Sequence, residues 1–316
     1  PYIAATTVRD LLMMAAPITN GGCVPTDADW AETFFRSRPT HLPGKIFSYN
    51  TIATTMLCII LARVTGQELT DYLRDRLFIP AGMSEDIACV ETCCGHDWGG
   101  SGILATPRDL AKFALCCMNG GRIDGRQLIP EDYIRAATAR QIDTTLTAAD
   151  AENSFGYGYQ FWRTRHNGFA CHGMGLQYAI CLPDEDFILV TTGDTQSVPS
   201  AGVALTEALW KEIYPYLEQD LPLAEPPEAM ETVKALWSGR ELPCAPGEAE
   251  SPVMAEVSGR TYVFREPNEP GLKWARFTFS GGGEGLLEYE NATGAQELRF
   301  GLGRQVYGAL SQTQYY

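Results

Sequence analysis

Three stretches hold residues that could do chemistry. The first is Phe47-Ser48-Tyr49-Asn50-Thr51, which puts one phenol at the mouth of an apolar run from Ile52 to Leu61. A free phenol has a pKa near 10, so it serves as a base at neutral pH only when tuned. A neighbouring cation would favour the phenolate. The second is Cys171-His172-Gly173-Met174-Gly175, a titratable ring beside glycines that let backbone approach a ligand closely. The third is the group Cys89, Cys93, Cys94 and His96, all of them zinc-ligand types, although their spacing matches no common site.

The chain has ten cysteines and no C-x-x-C pair. Cys116 and Cys117 are neighbours on a helical pattern, where they point in different directions and make a poor disulfide. Cys117 falls with Leu110, Phe113 and Ala114 at helical spacing, on a core face. Small buried hydrophobes in a reducing setting account for most of the cysteines, and no metal site is expected. A net charge of −15 repels phosphate backbones, so nucleic acid is excluded as a natural partner. No apolar run reaches the length of a membrane span.

The elements that must position these groups are legible in part. Residues 2–18 read as a helix already under way, and the chain stops without a cap or polar tail, so it reads as an internal piece of a longer protein. Any targeting segment would then lie before Pro1, and localisation, bacterial cytoplasm or exported, stays open. Ile52 to Leu61 is apolar almost all round, as in a helix enclosed by protein. Thr106-Pro107-Arg108-Asp109 is a helix start, with Thr as N-cap, Pro at N1 and an acid at N3. That helix should run to Met118 and stop at Asn119-Gly120-Gly121. The runs QYAICL and FILVTT flank Pro183–Asp186 and should pair as an antiparallel hairpin. Residues 201–216 read as a helix. Residues 218–252 form a Pro-rich linker, with Pro222, Pro226, Pro227, Pro243, Pro246 and Pro252 and a short helix near 228–237. Four strand-like runs follow, with turns at Gly281-Gly282-Gly283 and Asn291-Ala292-Thr293-Gly294.

Four blocks, in order, resemble the serine β-lactamase and penicillin-binding-protein superfamily, and within it the class C-like β-lactamase-related hydrolases. They are TTVRDLLMMAAPI, PGKIFSYNTIATTMLCIILARVTGQ, FIPAGM with GGSGILATPRDLAKFALCCMNGG, and CHGMGLQYAICLPDEDFILVTTGD. The resemblance covers residues 1 to about 216. It implies an α/β (α+β) fold of β-lactamase/transpeptidase type, an antiparallel sheet flanked by helices, with a partial all-β module at the C-terminal end. The expected domains are 1–217, incomplete at its start, the linker 218–252, and the module 253–316.

In that family a serine of an S-x-x-K motif is the nucleophile. The resemblance gives Tyr49 the tyrosine role of the second motif, with Thr51 where Asn is usual. A hydroxyl can replace only part of an amide's hydrogen bonding. The third motif admits two registers. One puts His172 in the cation's place and Met174 in that of the usual Gly; the other puts Gly173 in the Gly place and Cys171 in the cation's. Gly173 to Gly175 are expected to form the oxyanion strand, with His172 nearby.

No serine in the chain has lysine three residues later. The family places S-x-x-K upstream of the TVRDLL segment, so it is expected before Pro1, and this piece alone is expected to be inactive. The implied function is a serine hydrolase working through an acyl-enzyme on an ester, amide, peptide or lactam. Esterase or D-amino-acid peptidase work is favoured over β-lactamase work, because the third motif departs from K-T-G. The implied partner is a small-molecule or peptide substrate, without a cofactor. The alternatives are a non-catalytic penicillin-binding-like sensor or pseudoenzyme, and a thiol or zinc protein built on the cysteines.

Overall fold

Thr7 interrupts the N-terminal run. In the computed structural model, which describes residues 2–19, 29–196, 198, 200–217, 227–240, 244, 247–268 and 271–308, a 3-10 turn at Ile3–Ala5 precedes a new helix, α1 (Val8–Leu12). Thr7 and Asp10 form a capping box there. The expected continuous helix is therefore two pieces, because a threonine that bonds the N3 amide adopts an extended backbone. The Cα positions cluster into two units, Pro1–Asp220 and Leu221–Gln314.

In the first unit α2 (Trp30–Arg36) precedes the central helix α3 (Thr51–Thr65). Asn50 starts α3: its side-chain oxygen accepts from the Ile52 N–H at 3.0 Å. Gly66 ends it in the left-handed conformation. Ile52, Ala53, Met56 and Ile59 are buried at helical spacing and pack on Leu11, Met14, Ile18, Phe34 and Phe47. No residue from Ile52 to Leu61 is exposed, as the apolar run implies, while Val64 beyond it is 80% exposed. Gly99 and Gly100 lie flat against α3. A Cβ on Gly99 would stand 2.1 Å from the Cys58 sulfur, and one on Gly100 2.6 Å from Thr51 Cγ2.

Helix α4 (Leu69–Leu73), a wide turn at Arg74–Phe78 and two small ladders lead to the sheet. The ladders are β1 (Ala88–Cys89) with β2 (Ile103–Leu104), and β3 (Arg122–Ile123) with β4 (Arg126–Gln127). Between them α5 (Pro107–Met118) carries the capping box read from the sequence: Asp109 accepts from the Thr106 N–H and hydroxyl, at 3.1 and 2.6 Å. Then comes α6 (Glu131–Thr138).

The main sheet runs β5 (Trp162–Arg163), β6 (Phe169–Gly173), β7 (Gln177–Leu182) and β8 (Phe187–Thr191), with every neighbour antiparallel. The β7–β8 hairpin turns at Pro183–Glu185 as expected. Alternation along the strands splits two cores. Phe169, Ala179 and Cys181 pack with Ala114, Cys117 and Ile134 of α5 and α6. Ala170, Ile180 and Leu182 pack with Leu209 and Tyr214. Those two belong to the C-terminal helical stretch, α7 (Ala201–Ala208), a wide turn at Leu209–Ile213 and α8 (Tyr214–Leu217). Helices thus cover both faces of the sheet.

In the second unit α9 (Pro227–Ser238) and α10 (Met254–Val257) precede four antiparallel strands, β9 (Thr261–Val263), β10 (Trp274–Phe279), β11 (Glu284–Asn291) and β12 (Gly294–Gly301), in the order β12-β11-β10-β9. No helix falls within residues 272–300. Arg276 on β10 grips Glu288 on β11 with two hydrogen bonds, at 2.8 and 2.6 Å. The linker prolines 222, 226, 243 and 246 lie outside the described residues.

Candidate active site

The segment that carries Tyr49 is pinned from behind. Ser48 N–H donates to the Met14 carbonyl at 2.8 Å, and the Ser48 hydroxyl to the Ile18 carbonyl at 3.1 Å. Phe47 is buried on one side and Asn50 is spent on the helix cap on the other. Alternation then turns Tyr49 outward, and it is 50% exposed. Its hydroxyl has no hydrogen-bond partner among the described residues, which leaves it open to a ligand. Burial of part of the ring, then the neighbouring Cys171, raises the phenol above its ordinary pKa of 10.0. In this chain it is neutral at neutral pH.

Trp162 holds the phenol in place. The Tyr49 and Trp162 rings stack with centroids 5.5 Å apart at 19°. Tyr157 meets Tyr49 edge-on at 6.3 Å and Trp162 edge-on at 5.0 Å. Phe47 closes the group, 5.4 Å from Trp162. Trp162 stacks as well on His172, at 5.9 Å and 22°, and His172 stacks on its cross-strand partner Tyr178 at 4.4 Å. Tyr49 on the helical side and His172 on β6 therefore meet through one indole.

Gln160 anchors the approach to Trp162. Its backbone sits in the left-handed region, φ 65°. Its side-chain oxygen accepts from the Thr54 hydroxyl of α3 at 2.8 Å, and its amide donates to the Leu12 carbonyl at 3.1 Å and the Leu11 carbonyl at 3.3 Å. One side chain thus ties α1, α3 and the sheet edge together.

His172 is not a cation. Burial drives its pKa down from 6.5 to about 4, against the opposing pull of Asp150. Its Nε2 is buried without a hydrogen-bond partner among the described residues. The cation's place in the other register goes to Cys171, whose thiol burial pushes up to about 12. Neither register supplies a positive charge at neutral pH.

The expected oxyanion strand is shorter than Gly173 to Gly175. Strand β6 ends at Gly173, which pairs with Gln177, while Met174, Gly175 and Leu176 make the turn. Gly175 and Leu176 have φ of 77° and 74°, a backbone that reverses the chain and cannot extend a strand. Met174 is 74% exposed in that turn, so its bulk crowds nothing. The Gln177 amide donates to the Gly193 carbonyl and fastens the turn to the end of β8. Thr51 opens α3 with its methyl against Gly100.

The cysteines do not gather. Among the described residues no three His, Cys, Asp or Glu side chains are placed to hold a metal ion. His96 Nδ1 contacts Glu68 at 3.0 Å, and Cys94 lies against the Thr92 hydroxyl. Burial raises the Cys58 thiol to about 11 and the Cys89 thiol to about 12. Such thiols are not thiolates at neutral pH, and the thiolate is the nucleophile. Trp162 and Gln160 escaped the sequence reading, although both lie in the aromatic run YGYQFW, whose last residue opens β5.

A model of the family described as Beta-lactamase matches residues 2–209. The chain is 26% identical over 140 residues to the 6-aminohexanoate-dimer hydrolase of Paenarthrobacter ureafaciens, 41% of this chain and 35% of that protein. It is similar to a solved Bacillus anthracis structure provisionally described as a 6-aminohexanoate-dimer hydrolase, with TM-score 0.54, 21% identity, and coverage of 64% of this chain and 59% of that one. A structure of SurE with D-Leu matches over 94% of this chain and 68% of its own, with TM-score 0.52 and 18% identity. The chain thus spans about a third of the curated relative and under two thirds of the Bacillus structure.

Proposed function

Since the chain belongs to the beta-lactamase family, we propose that it is the tyrosine-bearing part of a serine hydrolase that works through an acyl-enzyme. Its substrate is an ester, amide, small peptide or lactam, with an amide the choice nearest the Paenarthrobacter relative's name. Residues 1–217 make up the hydrolase domain, 218–252 the connection, and 253–316 a β module without a catalytic residue.

The observation that carries this reading is the exposed, unbonded Tyr49 hydroxyl, held by Trp162 beside the strand that ends at His172-Gly173. In the proposed reaction a serine oxygen attacks the substrate carbonyl. Its proton passes to a base that Tyr49 is or relays to, and then to the leaving group as the acyl-enzyme forms. Water attacks next, and the same groups return the proton to the serine. That serine, and the lysine that would lower the Tyr49 pKa, lie outside residues 1–316. The neutral His172 positions Trp162, and through it Tyr49. A lactamase site of K-T-G type would need a cation on this strand, so esterase or peptidase chemistry fits better.

The test is covalent labelling. A longer form of the protein that carries S-x-x-K should gain the mass of a fluorophosphonate or penicillin adduct on that serine, read by mass spectrometry of the intact protein. Residues 1–316 alone should gain none. An S-x-x-K form that takes no adduct would point to a sensor, and an adduct on a serine within 1–316 would overturn the assignment of the nucleophile.

A further inference from the structure

Strand β5 turns its two residues to opposite faces, Trp162 towards Tyr49 and His172, and Arg163 towards α6. On the Arg163 side a cavity of about 490 Å³ opens between α6, the end of α5 and the turn after β5. That volume lies within the roughly 300–1,000 Å³ of small-molecule pockets. Met118, Ile134 and Phe169 give it an apolar lining, and Arg135, Arg140 and Arg163 give it three cations. Among the described residues Glu131 is the one carboxylate of the lining, and it faces Arg122, 4.0 Å away.

Arg163 is held in place without a counter-charge in contact. One terminal nitrogen donates to the Thr138 carbonyl at 2.8 Å, and the other to the Asn167 carbonyl at 2.9 Å and the Asn167 side-chain oxygen at 2.8 Å. Asn167 offers both oxygens from a left-handed backbone, φ 53°, in the turn after β5. These acceptors are neutral, and a guanidinium has five N–H donors, so part of the fork stays free. Among the described residues no carboxylate pairs with Arg163 or with Arg135, whereas Arg140 is held by Asp143 at 2.6 Å. Asp184 supports the Arg163 charge only from further off; the Asn167 amide stands between and donates to it at 3.4 Å. Burial works against that charge. A half-buried charge without a counter-ion costs free energy that an anion would recover.

The lining then selects the ligand. A cation would meet three arginines, and a bare inorganic anion would leave the surface of Met118, Ile134 and Phe169 wet. A guanidinium fork fits a carboxylate and a phosphate alike. The cavity is built to bind and not to react: Cys117 is its thiol, and burial pushes it up, so it is no thiolate at neutral pH.

We infer that this cavity binds a small organic anion, one carboxylate or phosphate on an apolar body, with the charge on Arg163 and Arg135 and the body on Ile134 and Phe169. The assignment goes beyond the hydrolase reading, since no step of the acyl-enzyme reaction uses this face of β5.

Isothermal titration of residues 1–316 compares 3-phenylpropionate and phenyl phosphate with the neutral 3-phenylpropanamide. At least one anion should bind about tenfold tighter than the amide, as charge-assisted hydrogen bonds to a guanidinium would give. The tighter of the two identifies the head group. Inorganic phosphate, which has the charge and no apolar body, should bind more weakly than that anion. Arg135→Gln changes an exposed helix position and should weaken anion binding severalfold while leaving the amide's affinity as it was. Arg163→Gln should bring the anion and amide affinities together. Amide shifts of Ile134, Thr138, Asn167 and Phe169 in the unaltered protein, followed by NMR, should move with the anion; this readout stands even if Arg163→Gln fails to fold. Equal affinities for anion and amide, inorganic phosphate binding as tightly as the phenyl anions, a preference untouched by Arg135→Gln, or shifts elsewhere while those four amides stay still would each overturn the assignment.

Discussion

The Trp162 indole stacks on both Tyr49, at 5.5 Å, and His172, at 5.9 Å, and so joins the helical side of the first unit to its sheet. Aromatic pairs of this kind contribute roughly 0.5–1.5 kcal/mol beyond the area they bury. The greater consequence is geometric. A phenol that must transfer a proton has to be held within a fraction of an ångström, and here two rings and a strand register hold it.

Tyr49→Phe in an S-x-x-K form of the protein should slow acylation by about 10²–10⁴-fold, the usual worth of a positioned proton-transfer group. Only one exposed, unbonded oxygen is removed, so the melting temperature should stay within a degree or two of the parent's. Stopped-flow labelling and a thermal melt check the two halves. Unchanged acylation would remove Tyr49 from the chemistry.

Trp162→Phe should retain the fold and lose part of the stack on Tyr49 and His172, whereas Trp162→Ala should cost about 3–5 kcal/mol, as for a large aromatic taken from a packed cluster. Urea titration followed by circular dichroism gives the stability. In the S-x-x-K form Trp162→Phe should lower kcat more than it raises KM, since the residue positions Tyr49 and does not itself bind substrate.

His172 makes stability depend on pH. Its folded pKa, about 4, lies below the ordinary 6.5. Between those values the unfolded chain takes up a proton that the folded protein refuses. Stability from this residue is therefore complete above about pH 6.5 and falls as the pH drops towards 4. His172→Gln, which cannot titrate, should flatten the urea midpoint over that window. An equal slope in both proteins would show that burial does not hold the ring neutral.

Gln160→Ala should remove the bond to Thr54 and leave the Leu11 and Leu12 carbonyls without their side-chain donor, at a cost of about 1–3 kcal/mol. Hydrogen exchange should show the loss as earlier opening of α3 and the end of α1, with α5 unaffected. A variant that is uniformly destabilised would argue against a local tie.

Local chemistry was legible from residue order. The capping box at Thr106 and Asp109, the stop at Gly120 and Gly121, the β7–β8 hairpin across Pro183 and the N-terminal position of Tyr49 on an apolar helix all rest on neighbours a few residues apart. Family blocks pointed to the β-lactamase-type fold. At the N-terminus an apolar pattern masks Thr7, which with Asp10 makes the same capping box as Thr106 with Asp109 and breaks the expected continuous helix.

What the tertiary structure decided depends on segments far apart in the chain. Residue types alone cannot say that Trp162 stacks on Tyr49, that Gln160 reaches Thr54, or that Arg165 pairs with Glu152 while Asn153 bonds Asp150. Nor can they say that His172 is neutral. Its type permits a cation, and only the protein packed around it excludes the water that would stabilise the charge. The sequence by itself determined which groups are present and how each local turn begins and ends. Packing decided which of them are charged, which are free and which face one another, because desolvation and ring contact are properties of an enclosed volume and not of a stretch of chain.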